Sequence, residues 1–179
     1  MSPLDAIEQA LRNQSPKPPI EKWHPSLSGD IDVNIDTRGD WYHEGTQIKR
    51  QPLINLFASI LRREDDGHYY LVTPVEKWRI RVDDTPLLAV DMDIVEPGDN
   101  QKIIFRLNTD ELVLLDKVHC LHIENIETQP HPVLRLDHGL SARLTTSLFY
   151  RLVDTAEQRD DGFGVYSNGQ WFVLAKTSD

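Results

Sequence analysis

One arrangement occurs twice in the same order, and it limits the fold more than any other feature of the chain. An amphipathic helix is followed by an acidic glycine turn and then by a tryptophan-bearing hairpin. In the first copy Leu53, Leu56, Phe57, Ile60 and Leu61 fall at i, i+3, i+4, i+7 and i+8 behind Pro52, which predicts a helix over 51–63. Arg62 and Arg63 are expected in its last turn, where positive charge complements the helix dipole. Asp65-Asp66-Gly67 ends it, and 68–72 and 77–82 read as a hairpin that carries Trp78. In the second copy 141–157 is expected to be helical, with Leu144, Leu148, Phe149 and Leu152 on one face. Asp160-Asp161-Gly162 follows it. A hairpin over 165–174 then carries Trp171 and turns at Asn168-Gly169, a pair suited to the positive φ angles of a type I′ turn. Leu148-Phe149 repeats Leu56-Phe57 at an offset of 92.

The remaining segments read as strands and one further helix. Ser2, Pro3 and Asp5 form a helix start, and Leu4, Ile7 and Leu11 give a narrow apolar stripe over 2–13. Pro16, Pro18 and Pro19 then force an extended arm, expected to dock because Trp23 follows it. Ile31, Val33 and Ile35 alternate with polar residues, and the turn Thr37-Arg38-Gly39-Asp40 leads to a returning strand over 41–44, which Gly45 breaks. A second recurrence relates 81–91 to 106–116, each read as strand, polar turn and strand. Helices set between antiparallel hairpins, without regular βαβ alternation, imply an α+β fold. The expected form is two structurally similar halves, each a helix packed on a small, mostly antiparallel sheet, with the short helix in front. A division at Glu96-Pro97-Gly98-Asp99-Asn100 gives domains over 1–95 and 96–179.

With 179 residues the chain needs no disulfide or metal to hold a core, and its single cysteine, Cys120, rules out an intrachain disulfide framework. A formal net charge of −10 disfavours nucleic acid or an anionic membrane as partner. No basic and apolar leader opens the chain and no apolar run approaches membrane-spanning length, so a cytoplasmic protein is expected. Neither GxGxxG nor GxxxxGK[ST] is present, and GxSxG is absent as well. No cofactor is expected.

Two stretches resemble a known family. One is Asp40-Trp41-Tyr42-His43-Glu44-Gly45-Thr46-Gln47-Ile48-Lys49-Arg50. The other is Phe57-Ala58-Ser59-Ile60-Leu61-Arg62-Arg63-Glu64-Asp65-Asp66-Gly67, continuing through Tyr70-Leu71-Val72-Thr73-Pro74-Val75-Glu76-Lys77. They are similar to the bacterial domain-of-unknown-function family numbered 1285, and Leu148-Phe149-Tyr150-Arg151-Leu152-Val153 with the Trp171 hairpin extends the likeness over most of the chain. The resemblance implies two related α+β halves. It implies no activity, substrate or catalytic residue.

Candidate chemistry is sparse. Arg79 and Arg81 share one face of a strand, with Arg50 nearby in sequence, and together they offer a fork for a carboxylate or phosphate. The competing reading is surface ion pairing with Glu44, Glu64 and Glu76. Trp41 and Trp78 are either core or an aromatic ligand platform. Asp91 and Asp93 flank Met92 on a strand whose Val90, Met92 and Ile94 face inward, an arrangement open to a divalent cation or to acid–base work. A solvated strand face is the alternative, and the loop carboxylates Glu124 and Glu127 carry no more weight. His119, His122, His131 and His138 lie within twenty residues but without a zinc-ligand spacing. Cys120 is either a nucleophile beside them or a small, partly buried thiol on a strand over 118–123.

The expected function is a non-enzymatic ligand-binding or regulatory module, of the kind used in signal transduction. Its site is expected near the junction of the halves, formed by Arg50, Arg79, Arg81, Glu44, Trp41 and Trp78, and its partner is a small anionic ligand or a peptide. Two alternatives stand beside it. One is a protein–protein interaction module pairing through strand edges. The other is a hydrolase or metal-assisted enzyme using Asp91, Asp93 and the second-half histidines.

Overall fold

Strand pairing, more than helix packing, organises this chain. The computed structural model describes residues 3–177. Ser2 lies outside the described residues. The elements, in chain order, are α1 (Pro3–Arg12), β1 (Gly29–Ile35), β2 (Trp41–His43), β3 (Thr46–Gln47), α2 (Gln51–Ser59), β4 (Leu61–Arg63), β5 (Tyr69–Val72), β6 (Lys77–Val82) and β7 (Leu87–Val95). They continue as β8 (Lys102–Leu107), β9 (Leu112–Leu114), β10 (Leu121–Ile126), β11 (Gln129–Arg135), β12 (Ser141–Leu144), α3 (Thr146–Asp154), β13 (Glu157–Arg159), β14 (Gly162–Ser167) and β15 (Gln170–Ala175).

Two six-stranded sheets have one and the same connectivity. The first runs β3-β2-β1-β6-β5-β4 and the second, read from its other edge, β9-β8-β7-β12-β11-β10. Each is two successive three-strand meanders joined by the first strand of one and the last strand of the other. In the first sheet that join is parallel, β1 against β6, and the other pairings are antiparallel. A three-stranded sheet, β13-β14-β15, completes the chain.

The helix–hairpin recurrence is visible as well. After α2 come β4, β5 and β6; after α3 come β13, β14 and β15. Both acidic glycine turns join the first and second strands of these meanders, and Trp78 and Trp171 both sit on the third. The 81–91 and 106–116 likeness does not extend to pairing. The strands β8 and β9 form a hairpin, whereas β6 and β7 belong to different sheets.

Both expected helices are too long. Helix α2 ends at Ser59, and Ile60 leaves helical geometry at φ −113°, ψ 12°. Leu61, Arg62 and Arg63 then pair with Leu71, Tyr70 and Tyr69. The arginines therefore lie on a strand and not in a helical last turn. The apolar spacing that Leu61 shares with a helix serves equally for a buried strand residue, and pairing with β5 decides between them. Likewise 141–144 is strand, Thr145 caps α3 by accepting from the Leu148 N–H at 3.4 Å, and 157–159 is strand again. Gly45 does not end the run at β2: Glu44 and Gly45 (φ 50° and 78°) form a two-residue turn into β3. Asn168-Gly169 (φ 48° and 79°) makes the expected turn.

The chain forms two contact units, 15–87 with 136–141, and 1–14 with 88–135 and 142–179. The expected boundary at 96–100 is the turn of the β7–β8 hairpin, inside one sheet. The first unit is built around Val33, Ile35, Trp41, Leu61, Leu71, Ile80 and Leu140, with Ile54, Phe57, Ala58 and Ile60 packed against them. Leu140 reaches this core on a short excursion of the chain, and Gly139 lies so close to the Arg63 carbonyl that a Cβ would stand 2.7 Å from it. In the second unit Ile7 and Leu11 of α1 pack on Val95, Ile104 and Leu112. Gln14 then treats the edge of β9 as a strand would: its amide donates to the Leu112 carbonyl at 3.0 Å and accepts from the Leu112 N–H at 2.6 Å. Replacing Gln14 with alanine is expected to cost about 1–2 kcal/mol and to speed hydrogen exchange at the Leu112 amide, read by mass spectrometry. Unchanged exchange would mean that the edge is closed by other groups.

Candidate functional site

The arginines singled out from the sequence meet carboxylates, but not the ones nearest in sequence. Parallel pairing sets Asp30 beside Arg79 and Asn34 beside Arg81, with a bulge between. Arg81 Nη2 contacts Asp32 Oδ1 at 2.6 Å. Arg79 Nε faces Asp30 at 3.4 Å, an ionic contact without hydrogen-bond geometry, and its guanidinium lies 5.9 Å from the centroid of the Tyr70 ring. Both pairs are on the side of β6 opposite the buried Ile80, so this polar face of the sheet is neutralised row by row. Glu64 pairs with Arg62 and Lys77, each at 2.7 Å. Glu44 is exposed in the β2–β3 turn, and its N–H donates to the Asp32 carbonyl at 3.0 Å.

The other residues of that expected set scatter. Trp41 is completely buried, stacks on Phe57 with ring centroids 6.1 Å apart, and offers no ligand platform. Trp78 is half-buried, with its indole N–H directed at Glu76 Oε2, 3.5 Å away, and its ring beside Gly29. Arg50 is exposed at the start of α2, which packs on the apolar side of the sheet, the side opposite Arg79 and Arg81. The six residues therefore form no single anion clamp.

The carboxylate and histidine candidates divide in the same way. A bulge between Ala89 and Asp91 shifts the alternation of β7, so Val90 and Asp91 are both exposed while Met92 is buried. Asp91 is held by Arg151 of α3 at 2.6 Å. That guanidinium and the Met92 N–H keep its carboxyl below the usual range. Glu124 meets His122 of its own strand β10 at 3.3 Å and His131 across the β10–β11 ladder at 3.8 Å. His119 lies beside Asp116 at 3.8 Å, and His138 is in the other contact unit. His119 and Cys120 precede β10 and do not lie on it. Among the described residues no group of three or more His, Cys, Asp or Glu side chains is placed to hold a metal ion.

A different site stands out. Ile123, Asn125 and Pro130 of the β10–β11 hairpin, Phe149, Tyr150, Val153 and Ala156 at α3, and Phe163, Val173, Leu174, Ala175 and Lys176 of the last sheet line a groove of about 1000 Å³. Three large apolar residues turn to solvent there: Tyr150 is 64% exposed, Phe163 45% and Val153 40%. Lys176 is the charged side chain at the rim. The sequence held one sign of this groove: Tyr150 and Val153 are apolar yet lie off the stripe of Leu148, Phe149 and Leu152 that buries α3.

Fold and surfaces together define an α+β protein of two contact units, each containing a six-stranded, mostly antiparallel sheet. Residues 18–85 match the family model described as domain of unknown function (DUF1285), N-terminal domain, and residues 86–174 match protein of unknown function (DUF1285), C-terminal domain. The chain belongs to the DUF1285 family. It is similar to the crystal structure of a DUF1285 family protein from Silicibacter pomeroyi DSS-3, with a TM-score of 0.85 and 35% identity over 98% of this chain and 96% of that one. A DUF1285 family protein from Shewanella baltica OS155 gives a TM-score of 0.53 and 31% identity, covering 68% of this chain and 90% of the other. No curated protein matches the chain. Among the described residues no helix is long and apolar enough to cross a membrane.

Proposed function

We propose that this protein is a non-enzymatic binding module, and that its ligand is a small amphipathic molecule with an apolar body and one anionic end. The convergence of exposed Tyr150, Val153 and Phe163 on one groove carries this reading. Contiguous exposed apolar surface marks binding sites more often than chance, and small-molecule sites are concave, mostly apolar and of this size. Lys176, the charged lining residue, selects a negative end group. The anionic ligand expected from sequence thus keeps its charge, and its contacts move from the paired arginines to this groove. Binding without turnover suits a regulatory module of the kind used in signal transduction.

The test uses the fluorescent anion anilinonaphthalene sulfonate, with decanoate as competitor. Saturable enhancement displaced by decanoate is expected. Val153→Asp should weaken both ligands at least about tenfold, or 1.4 kcal/mol. Val153 is substantially exposed, so its melting temperature should barely move. Lys176→Glu should weaken binding about three- to tenfold. Equal binding by Val153→Asp, or enhancement that never saturates, would remove the groove as the site.

A further inference from the structure

A second depression, of about 530 Å³, lies on the polar face of the first sheet and is lined by Asp32, Asn34, Asp36, Tyr42, Gly45 and Arg81. Its chemistry is unlike that of the apolar groove, and it belongs to the other contact unit. We propose that it binds a neutral polyhydroxylated ligand, a monosaccharide.

The charges at this site cancel locally. Asp32 is paired with Arg81 at 2.6 Å, and Asp36 has Arg38 at 3.5 Å. A free anion would meet two carboxylates, and a free cation would have to displace Arg81 and Arg38 from the carboxylates they already pair. Neither gains by entering. An apolar ligand would strip water from four charged or amide groups without replacing its hydrogen bonds.

A vicinal diol fits the groups that remain. Asp32 Oδ2 is an acceptor, Arg81 keeps N–H donors beyond the one on Asp32, and the Asn34 amide offers both kinds while its Nδ2 reaches Asp83 at 3.4 Å. A sugar hydroxyl both donates and accepts, so two adjacent hydroxyls satisfy a carboxylate and a guanidinium together. The Tyr42 ring supplies a wall for the C–H face of the sugar. These groups are fixed before binding. Asp32 and Arg81 stand on paired strands, and Asp36 is locked by the N–H groups of Arg38 (2.9 Å) and Asp40 (3.0 Å) and by the Tyr42 hydroxyl (3.3 Å). Burial pushes the Asp36 carboxyl up, but those backbone donors outweigh it and hold it below its usual range, so it stays an acceptor. Gly45, at φ 78° with open space where a Cβ would lie, leaves the rim clear.

The experiment is an amide NMR titration with glucose, galactose, mannose and N-acetylglucosamine, with inorganic phosphate and spermidine as charged probes. At least one sugar is expected to give saturable shifts at Gly45 and at the Asn34 side-chain amide. The expected Kd is about 1 mM, because protein–ligand bonds replace protein–water bonds of similar strength. Asn34→Ala and Arg81→Lys should each weaken binding at least about fivefold, the second while keeping the charge. Dispersed spectra of both variants establish that they fold. Three results would overturn the proposal: no saturable shift with any sugar, unchanged sugar affinity in both variants, or tighter binding of phosphate or spermidine at the same residues.

Discussion

Arg62→Ala is expected to destabilise its unit by about 3 kcal/mol and to loosen the proline-rich arm. The Arg62 side chain is only 12% exposed and closes several contacts at once. It donates to the Ile20 carbonyl at 3.0 Å, to the Trp23 carbonyl at 2.8 Å and to Glu64 at 2.7 Å. Ile20 is itself buried, so this guanidinium anchors the middle of the arm, while Ser28 and Lys77 bond each other through two hydrogen bonds at its end. Removing one partner of a largely buried charge cluster leaves the others unsatisfied, which costs about 3–5 kcal/mol when burial is complete and less here. Thermal unfolding should show the loss, and trypsin should cut after Lys22 faster than in the parent. If melting and cleavage are both unchanged, the arm is held by other means.

The same cluster has an acid limit. Burial raises the Glu64 pKa, but hydrogen bonds from Lys77 and Arg62 outweigh it and leave the carboxyl below its ordinary 4.5. A carboxylate with a depressed folded-state pKa stabilises fully above its unfolded value. It loses that contribution as pH falls through the folded one. The stability gap between parent and Arg62→Ala should therefore narrow below about pH 4.5.

Ser167→Ala is the other substitution with a large expected effect, about 3 kcal/mol. Ser167 is fully buried, and its hydroxyl accepts from the Ile103 N–H at 2.9 Å while donating to the Leu115 carbonyl at 2.6 Å. Alanine would leave a buried donor and a buried acceptor unpaired, each worth about 1–3 kcal/mol. Gln101 provides the neighbouring tie: its amide donates to the Tyr166 carbonyl at 2.8 Å, and its own carbonyl accepts from Asn168. Urea unfolding with hydrogen exchange at Ile103 measures the effect. A loss below about 1 kcal/mol would mean that water replaces the hydroxyl.

What the sequence made legible was local. Alternation at Ile31, Val33 and Ile35 marks β1, and Asn168-Gly169 marks the β14–β15 turn, because both signals act within a few residues. The ends of α2 and α3 were overrun because Leu61 and Leu144 suit a helical stripe and a buried strand equally well, and only pairing partners decide. Arg79 and Arg81 were legible as neighbours on one face. Their partners Asp30 and Asp32 lie 49 residues earlier and arrive through a parallel join that no short-range pattern announces. The groove at Tyr150, Val153 and Phe163 draws on a hairpin, a helix and the last sheet, so it has no single stretch of sequence to betray it.

The excursion of residues 136–141 bears on how the protein is made. Leu140 belongs to the core formed by β1 to β6 and α2, and the His138 carbonyl accepts from the Arg63 N–H at 3.0 Å. Residues 1–14 belong to the opposite unit. Synthesis runs from the amino end, so the earlier core waits for residues that leave the ribosome some fifty positions after its last strand, while the first helix waits for a sheet not yet made. Neither unit can be completed from its own uninterrupted stretch, and the first cannot close until most of the second unit's sheet has been made.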